Sequence, residues 1–120
     1  QLAQAYDNAG DTCMHLEEYD EAEAYFLKAI EICEDLDDEQ VSLLRSLSFL
    51  YTEQKRFNEA KEYLLRALKL AEKLVGMRSP ELVPICNNLG AIHAGLDEID
   101  MAVVYYQRAL GILREIFAVN

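Results

Sequence analysis

Three alanines, Ala22, Ala60 and Ala102, stand at the centre of one local pattern, and that shared register leaves few folds open. Seven residues after them come Ala29, Ala67 and Ala109, and twelve before them come the small residues Gly10, Ser48 and Gly90. Tyr19, Phe57 and Ile99 lie three positions before each alanine, and Phe26, Leu64 and Tyr106 lie four after. Five positions that agree in chemistry at fixed offsets, with spacings of 38 and 42 residues, define an internal repeat. Periods of this size mean stacked supersecondary units, each covering the apolar face of the next.

The pattern inside each unit is helical. Apolar or small residues recur at i, i+3, i+4 and i+7 as Tyr6/Ala9/Gly10/Cys13, Leu44/Leu47/Ser48/Tyr51 and Cys86/Leu89/Gly90/His93, which is one face of a helix. The small member of each set lets a second helix approach, and the alanines seven apart receive it. Short turns at Leu16–Tyr19, Glu53–Phe57 and Gly95–Ile99 force the two helices antiparallel. The expected helices are 2–16, 20–35, 39–54, 57–75, 80–95 and 99–118, grouped in repeats at about 1–37, 38–78 and 79–120. Gly76 suits a left-handed stop, Ser79 and Pro80 suit an N-cap and first turn, and Pro84 predicts an irregular start to the fifth helix.

At these residues the chain resembles the tetratricopeptide repeat family, whose pattern is W-x2-LG-x2-Y followed by A-x3-F. It reads Y-x2-AG-x2-C, L-x2-LS-x2-Y and C-x2-LG-x2-H, followed by A-x3-F, A-x3-L and A-x3-Y. The units exceed the family's usual length by about one and two helical turns. The connector Val75-Gly-Met-Arg-Ser-Pro-Glu-Leu82 resembles the G-x-x-H-P link of kinesin-light-chain-like repeats, with Arg-Ser in the histidine region. The resemblance implies an all-α, right-handed superhelical solenoid of three antiparallel helix pairs.

Charge narrows the partners. The net charge is −11, but residues 1–40 alone carry −12, residues 41–82 carry +3 and residues 83–120 carry −2. Such a balance argues against nucleic acid and anionic membranes. No run approaches the roughly 20 apolar residues of a membrane span. Three cysteines without a CxxC pair fit a reducing, cytoplasmic setting better than a disulfide framework. The chain begins at Gln1 rather than methionine, which predicts a piece of something longer. The last helix is apolar on more than one face and expects a neighbour, either a following helix or a second copy.

The family resemblance implies a concave groove, lined by the first helix of each pair, that holds an extended peptide or a partner helix. A quarter turn from the core positions, its lining would be Asp7, Asn8, Asp11 and His15, then Arg45, Ser46, Phe49 and Thr52, then Asn87, Asn88 and Ala91. The family's clamp for a terminal carboxylate does not carry over. Asp7 and Pro84 stand in its lysine slots, Asp11 and Ser46 in its asparagine slots and Asn88 in its arginine slot. Two carboxylates repel the group such a clamp holds, so acidic chaperone-type C-terminal tails are not expected to bind. Asn8 and Asn88 match positions where kinesin-light-chain-like repeats place an amide that bonds a ligand backbone, or they are plain surface residues. Phe49 is either a groove anchor or an inter-repeat contact. Asp7 and Asp11, one turn apart, would bridge a ligand cation. The run Glu34–Glu39 reads as a solvated connector without calcium-loop spacing.

Catalytic chemistry is not expected. Cys13, Cys86 and His93 fall on the core face, Cys33 has no base beside it, and His15 has no nucleophile or metal partner. Cys13 and His15 lie two apart on a helix and point apart, so no metal site is expected, nor a cofactor. The reading is therefore a protein-binding adaptor or scaffold that takes a peptide or helix, preferably basic. The alternative is a segment for self-assembly, through the last helix, or for packing within its parent.

Overall fold

The computed structural model describes residues 1–118 and consists of six helices: α1 (Leu2–His15), α2 (Tyr19–Ile32), α3 (Asp37–Glu53), α4 (Phe57–Val75), α5 (Leu82–Gly95) and α6 (Ile99–Ile116). The last two residues of the expected third repeat lie outside the described residues. Helices pair as α1/α2, α3/α4 and α5/α6, and successive pairs meet through α2 against α3 and α4 against α5. The result is an elongated body of 47 × 32 × 20 Å.

The alanine register marks the lines of closest approach. Ala22, Ala29, Ala60, Ala67, Ala102 and Ala109 are all buried, beside Phe26, Leu47, Leu64 and Leu89. The small residue twelve positions upstream is matched to its partner helix. A Cβ on Gly10 would stand 2.7 Å from the Phe26 ring, and one on Gly90 would stand 2.7 Å from the Tyr106 ring. Ser48 holds the same repeat position in the second unit, where the counterpart of the aromatic is the smaller Leu64, and the Ser48 hydroxyl donates to the carbonyl of Ala60 at 2.8 Å. Small residue and aromatic, or serine and leucine, fill the same volume.

All three intra-pair turns share one backbone course. Glu17, Lys55 and Asp97 adopt φ of 59°, 60° and 61°. The following amide then reaches back to close the helix: Glu18 N–H to Cys13 O, Arg56 N–H to Tyr51 O and Glu98 N–H to His93 O, each at 2.8 Å. This is a Schellman-type closure built without glycine.

The expected boundaries move where side chains intervene. α2 stops at Ile32 and α3 begins at Asp37, two residues early, so the acidic run Glu34–Glu39 is only half connector. Asp37, Asp38 and Glu39 enter the first turn of α3, where carboxylates complement the positive end of the helix. Gln40, just behind them, is buried and donates its amide to the carbonyls of Ile30 at 2.8 Å and Cys33 at 3.3 Å, closing the end of α2. α5 starts at Leu82 rather than residue 80. Ser79, Pro80 and Glu81 form their own turn, with the Ser79 hydroxyl accepting from Glu81 N–H at 3.2 Å. Pro84 then falls in the first turn, where no intrahelical N–H is needed, and Val83 N–H takes the Pro80 carbonyl at 3.1 Å.

Adjacent repeats are joined by one recurring polar position, the residue after the first alanine of each unit. In the first repeat it is Glu23, whose carboxylate accepts from the Tyr51 hydroxyl and lies 3.7 Å from Arg56 Nη1. In the second it is Lys61, whose ammonium lies 3.4 Å from Glu98, itself 3.0 Å from His93 Nδ1. His93 and Lys61 hold the Glu98 carboxyl below the usual range. In the third repeat the position is Val103, which is exposed together with Ile99, Val104, Leu110, Ile116 and Phe117 along α6.

Candidate functional site: a trough between α1 and α3

Because α1 and α3 are the first helices of consecutive pairs, they run parallel, and a trough follows the cleft between them. It consists of three depressions that share lining residues. At the N-terminal ends of the two helices, Gln1, Gln4, Asp7, Glu39, Ser42 and Leu43 surround a space of about 80 Å³. In the middle, Asp11, Met14, Ser42, Arg45, Ser46, Phe49 and, from α5, Asn88 surround about 240 Å³. At the C-terminal ends, Met14, His15, Tyr19, Phe49 and Glu53 surround about 130 Å³. Ser42 joins the first space to the second, and Met14 with Phe49 joins the second to the third.

The lining changes character along its length. Asp7 is half-buried, and burial first, then the charge of Asp11, pushes its carboxyl above the usual range. Its Oδ1 is enclosed without a hydrogen-bond partner among the described residues. Neither Asp7 nor Asp11 has a lysine or arginine nitrogen within 4.0 Å among those residues. Arg45 lies in the middle, half-buried, and its Nε is likewise enclosed without an acceptor. Beyond it the exposed Phe49 ring, 54% accessible, forms an apolar end with Met14 and Tyr19. His93 Nε2, in the core, is likewise enclosed without a partner among the described residues.

Of the residues expected to line a groove, Asp11, Arg45, Ser46, Phe49 and Asn88 come together in the middle space, Asp7 at one end and His15 at the other. Asn8, Thr52 and Asn87 lie outside these spaces. The Asn8 amide oxygen accepts from Gln4 at 3.2 Å, and the Thr52 hydroxyl donates to the Ser48 carbonyl at 2.9 Å. The His15 ring is tied back through Nδ1 to the Asp11 carbonyl at 2.7 Å. Met14 and Ser42 were missed from the sequence. Met14 follows Asp7 and Asp11 at seven and three residues, the spacing of one helical face, and that signal was available.

The other reactive side chains are sequestered. Cys13, Cys33 and Cys86 are free and buried, and burial is the largest factor pushing each thiol above its usual range. The Cys13 sulfur and one carboxylate oxygen each of Glu18 and Glu21 lie within 4.8 Å of one another. Glu21 is held above the usual range by Glu18, first through hydrogen bonding to its protonated form and then through the Glu18 charge. His93 is buried, stacked on Tyr105 at 5.3 Å and bonded to Glu98. Among the described residues no helix is long and apolar enough to cross a membrane.

Stacked antiparallel helix pairs define a helical-repeat protein. The tetratricopeptide repeat model matches residues 1–73 and again 39–115, and the chain belongs to that family. Its two matches start 38 residues apart, the spacing of Ala22 and Ala60. Repeats of this family generally mediate protein–protein interactions. The chain is 31% identical over 108 residues to heat shock protein STI1 of Saccharomyces cerevisiae, which covers 90% of this chain but only 16% of that protein. In fold it is similar to the crystal structure of BtubC (BKLC) from P. vanneervenii, with a TM-score of 0.85, 23% identity, and coverage of 95% of this chain and 46% of that one. It is also similar to the N-terminal domain of stress-induced protein-1 (STI-1) from C. elegans, with a TM-score of 0.79, 18% identity, and coverage of 93% and 84%. MamA is similar at a TM-score of 0.77 and 18% identity, covering 98% and 59%.

Proposed function

We propose that this chain, read as three repeats at about 1–37, 38–78 and 79–120, is an adaptor module that binds a basic, extended segment of another protein along the α1/α3 trough. One observation carries the reading: two adjacent carboxylates, Asp7 and Asp11, line the trough with no lysine or arginine nitrogen within 4.0 Å of either among the described residues. A lysine or arginine from a partner supplies the missing charge. It also supplies donors to the accessible part of the Asp7 and Asp11 carboxylates, while the Arg45 guanidinium donates to a carbonyl of the same segment. Acidic tails of the chaperone type are excluded from this reading, because Asp7 and Asp11 stand where a carboxylate clamp needs lysine and asparagine. Buried free thiols fit work in a reducing, intracellular setting. The test is binding of a diverse peptide library at low and moderate salt. Basic, salt-sensitive hits that weaken in Asp7→Asn and Asp11→Asn support the reading, and hits indifferent to both substitutions sink it.

A second reading, self-association, is favoured by one feature, the apolar outer face of α6. In a regular head-to-tail stack, Val103 would meet Glu18 of the next copy, the position that Arg56 and Glu98 hold in the inner interfaces. Contact between two α6 helices avoids that mismatch. Light scattering across concentration, with Val104→Asp as the disrupting variant, separates this reading from the first.

A further inference from the structure

The trough is not uniform, and its order specifies its ligand. Resting on the peptide-binding reading above, we infer that the preferred segment carries a lysine or arginine and a bulky apolar residue about three positions apart, the cation at the Asp7 end and the apolar side chain between Met14 and Phe49.

The acidic space is bounded by Asp7 and Glu39 and contains no basic residue in its lining. Asp11 stands next along the same side. A ligand cation is drawn to this end and repelled from the middle, where the Arg45 guanidinium stands without a carboxylate within 4.0 Å among the described residues. Arg45, which lines that space, instead offers its guanidinium to an acceptor, which an extended backbone carries at every residue. Past Arg45, Met14 and Phe49 belong to both remaining spaces, so their side chains form the walls that an apolar group would wedge between. Phe49 is more than half exposed in the free chain, and a partner that covers it recovers the largest apolar contact in the trough.

The helices set the spacing. From Asp7 to Met14 on α1, and from Ser42 to Phe49 on α3, is seven residues in each case. At about 1.5 Å of rise per residue that is roughly 10 Å. An extended peptide advances about 3.3 Å per residue, so roughly three of its residues span the same distance.

The experiment is fluorescence anisotropy with labelled decapeptides of Gly and Ser that carry one Arg and one Leu at separations of one to six, in both orders. Affinity is expected to peak at a separation of three, about tenfold above peptides with Arg alone, the contribution of one buried anchor. Phe49→Ala is expected to remove the peak while leaving Arg-dependent binding; Phe49 is exposed, and far-ultraviolet circular dichroism confirms that this variant is folded. Met14→Ser is a second variant for the same purpose. Binding that needs Arg but ignores Leu and its position overturns the ordered ligand while leaving the proposed function standing. Absence of binding by every Arg peptide overturns both. Peptide competing with dimerisation in light scattering would mean that a second copy fills the trough, and that too overturns the inference.

Discussion

The Ser48 hydroxyl donates to the Ala60 carbonyl at 2.8 Å, in the position where the flanking repeats carry Gly10 and Gly90. In that repeat the residue in register with Phe26 and Tyr106 is the smaller Leu64, which leaves room for the hydroxymethyl.

The pairing predicts a coupling. Gly10→Ser should destabilise by about 1–3 kcal/mol, since its Cβ cannot share space with the Phe26 ring. Phe26→Leu alone leaves a void and should cost about 1 kcal/mol or more. Together they recreate the Ser48/Leu64 pair, so the double variant should be more stable than the sum of the single losses by about 1 kcal/mol. Urea midpoints of the four chains measure it, and strict additivity would show that the two positions do not share volume.

The turn at Lys55 and the stop at Gly76 predict opposite effects of exchanging glycine. Lys55→Gly relieves a side chain held at φ 60° and should stabilise by about 0.5–1 kcal/mol. Gly76 has φ 87° and ψ 174°, with open space around its absent Cβ, so Gly76→Ala should cost about 1–3 kcal/mol from backbone strain alone. Thermal melts of both variants check the pair, and equal shifts in the same direction would contradict it.

The Tyr51–Glu23 bond predicts a change at high pH. Burial first, then the hydrogen bond to Glu23, pushes the Tyr51 hydroxyl well above its ordinary value of 10.0. The folded state therefore keeps a proton that the unfolded chain releases. That contribution is fully present below pH 10 and is lost as pH rises above it. Tyr51→Phe should cost about 1–2 kcal/mol at neutral pH and flatten the alkaline fall in stability. An unchanged alkaline slope would show that Tyr51 does not ionise on unfolding.

Asp7 acts in the same sense, but in the acid range. Its carboxyl is raised above 3.8 by burial and by Asp11, so folding disfavours its ionised form. Stability from this group is present below pH 3.8 and is lost as pH climbs through the raised value. Asp7→Asn should therefore stabilise the free chain at pH 7 and lose that advantage in acid. The same substitution should weaken a basic ligand, separating stability from binding in one variant. Denaturation at pH 3 and pH 7 supplies the first half, and destabilisation at pH 7 would contradict it.

The repeat, the six helices and the buried Cys13, Cys86 and His93 were legible because helical periodicity and recurring small residues report directly on packing faces. Boundaries were less so, because they depend on side chains that act at a distance. Gln40 closes α2 from ten residues away, and Ser79 holds its own turn before α5. The left-handed turns at Glu17, Lys55 and Asp97 carry no glycine to announce them. Groove positions followed from a rotation about each helix, which placed Asp7, Asp11, Arg45 and Phe49 along the trough. That rotation also included Asn8 and Thr52, whose polar groups bond within their own helices, and passed over Met14.

The central claim is that the trough reads positive charge. Titration of a lysine- and arginine-containing peptide and of a glutamate-containing peptide of equal length, each at low and at moderate salt, tests it in one experiment. The basic peptide should bind, weaken as salt rises, and weaken further in Asp7→Asn/Asp11→Asn, while the acidic peptide should not bind at either salt. Tighter binding of the acidic peptide, or binding of the basic one that is unchanged in the double variant, would contradict the account.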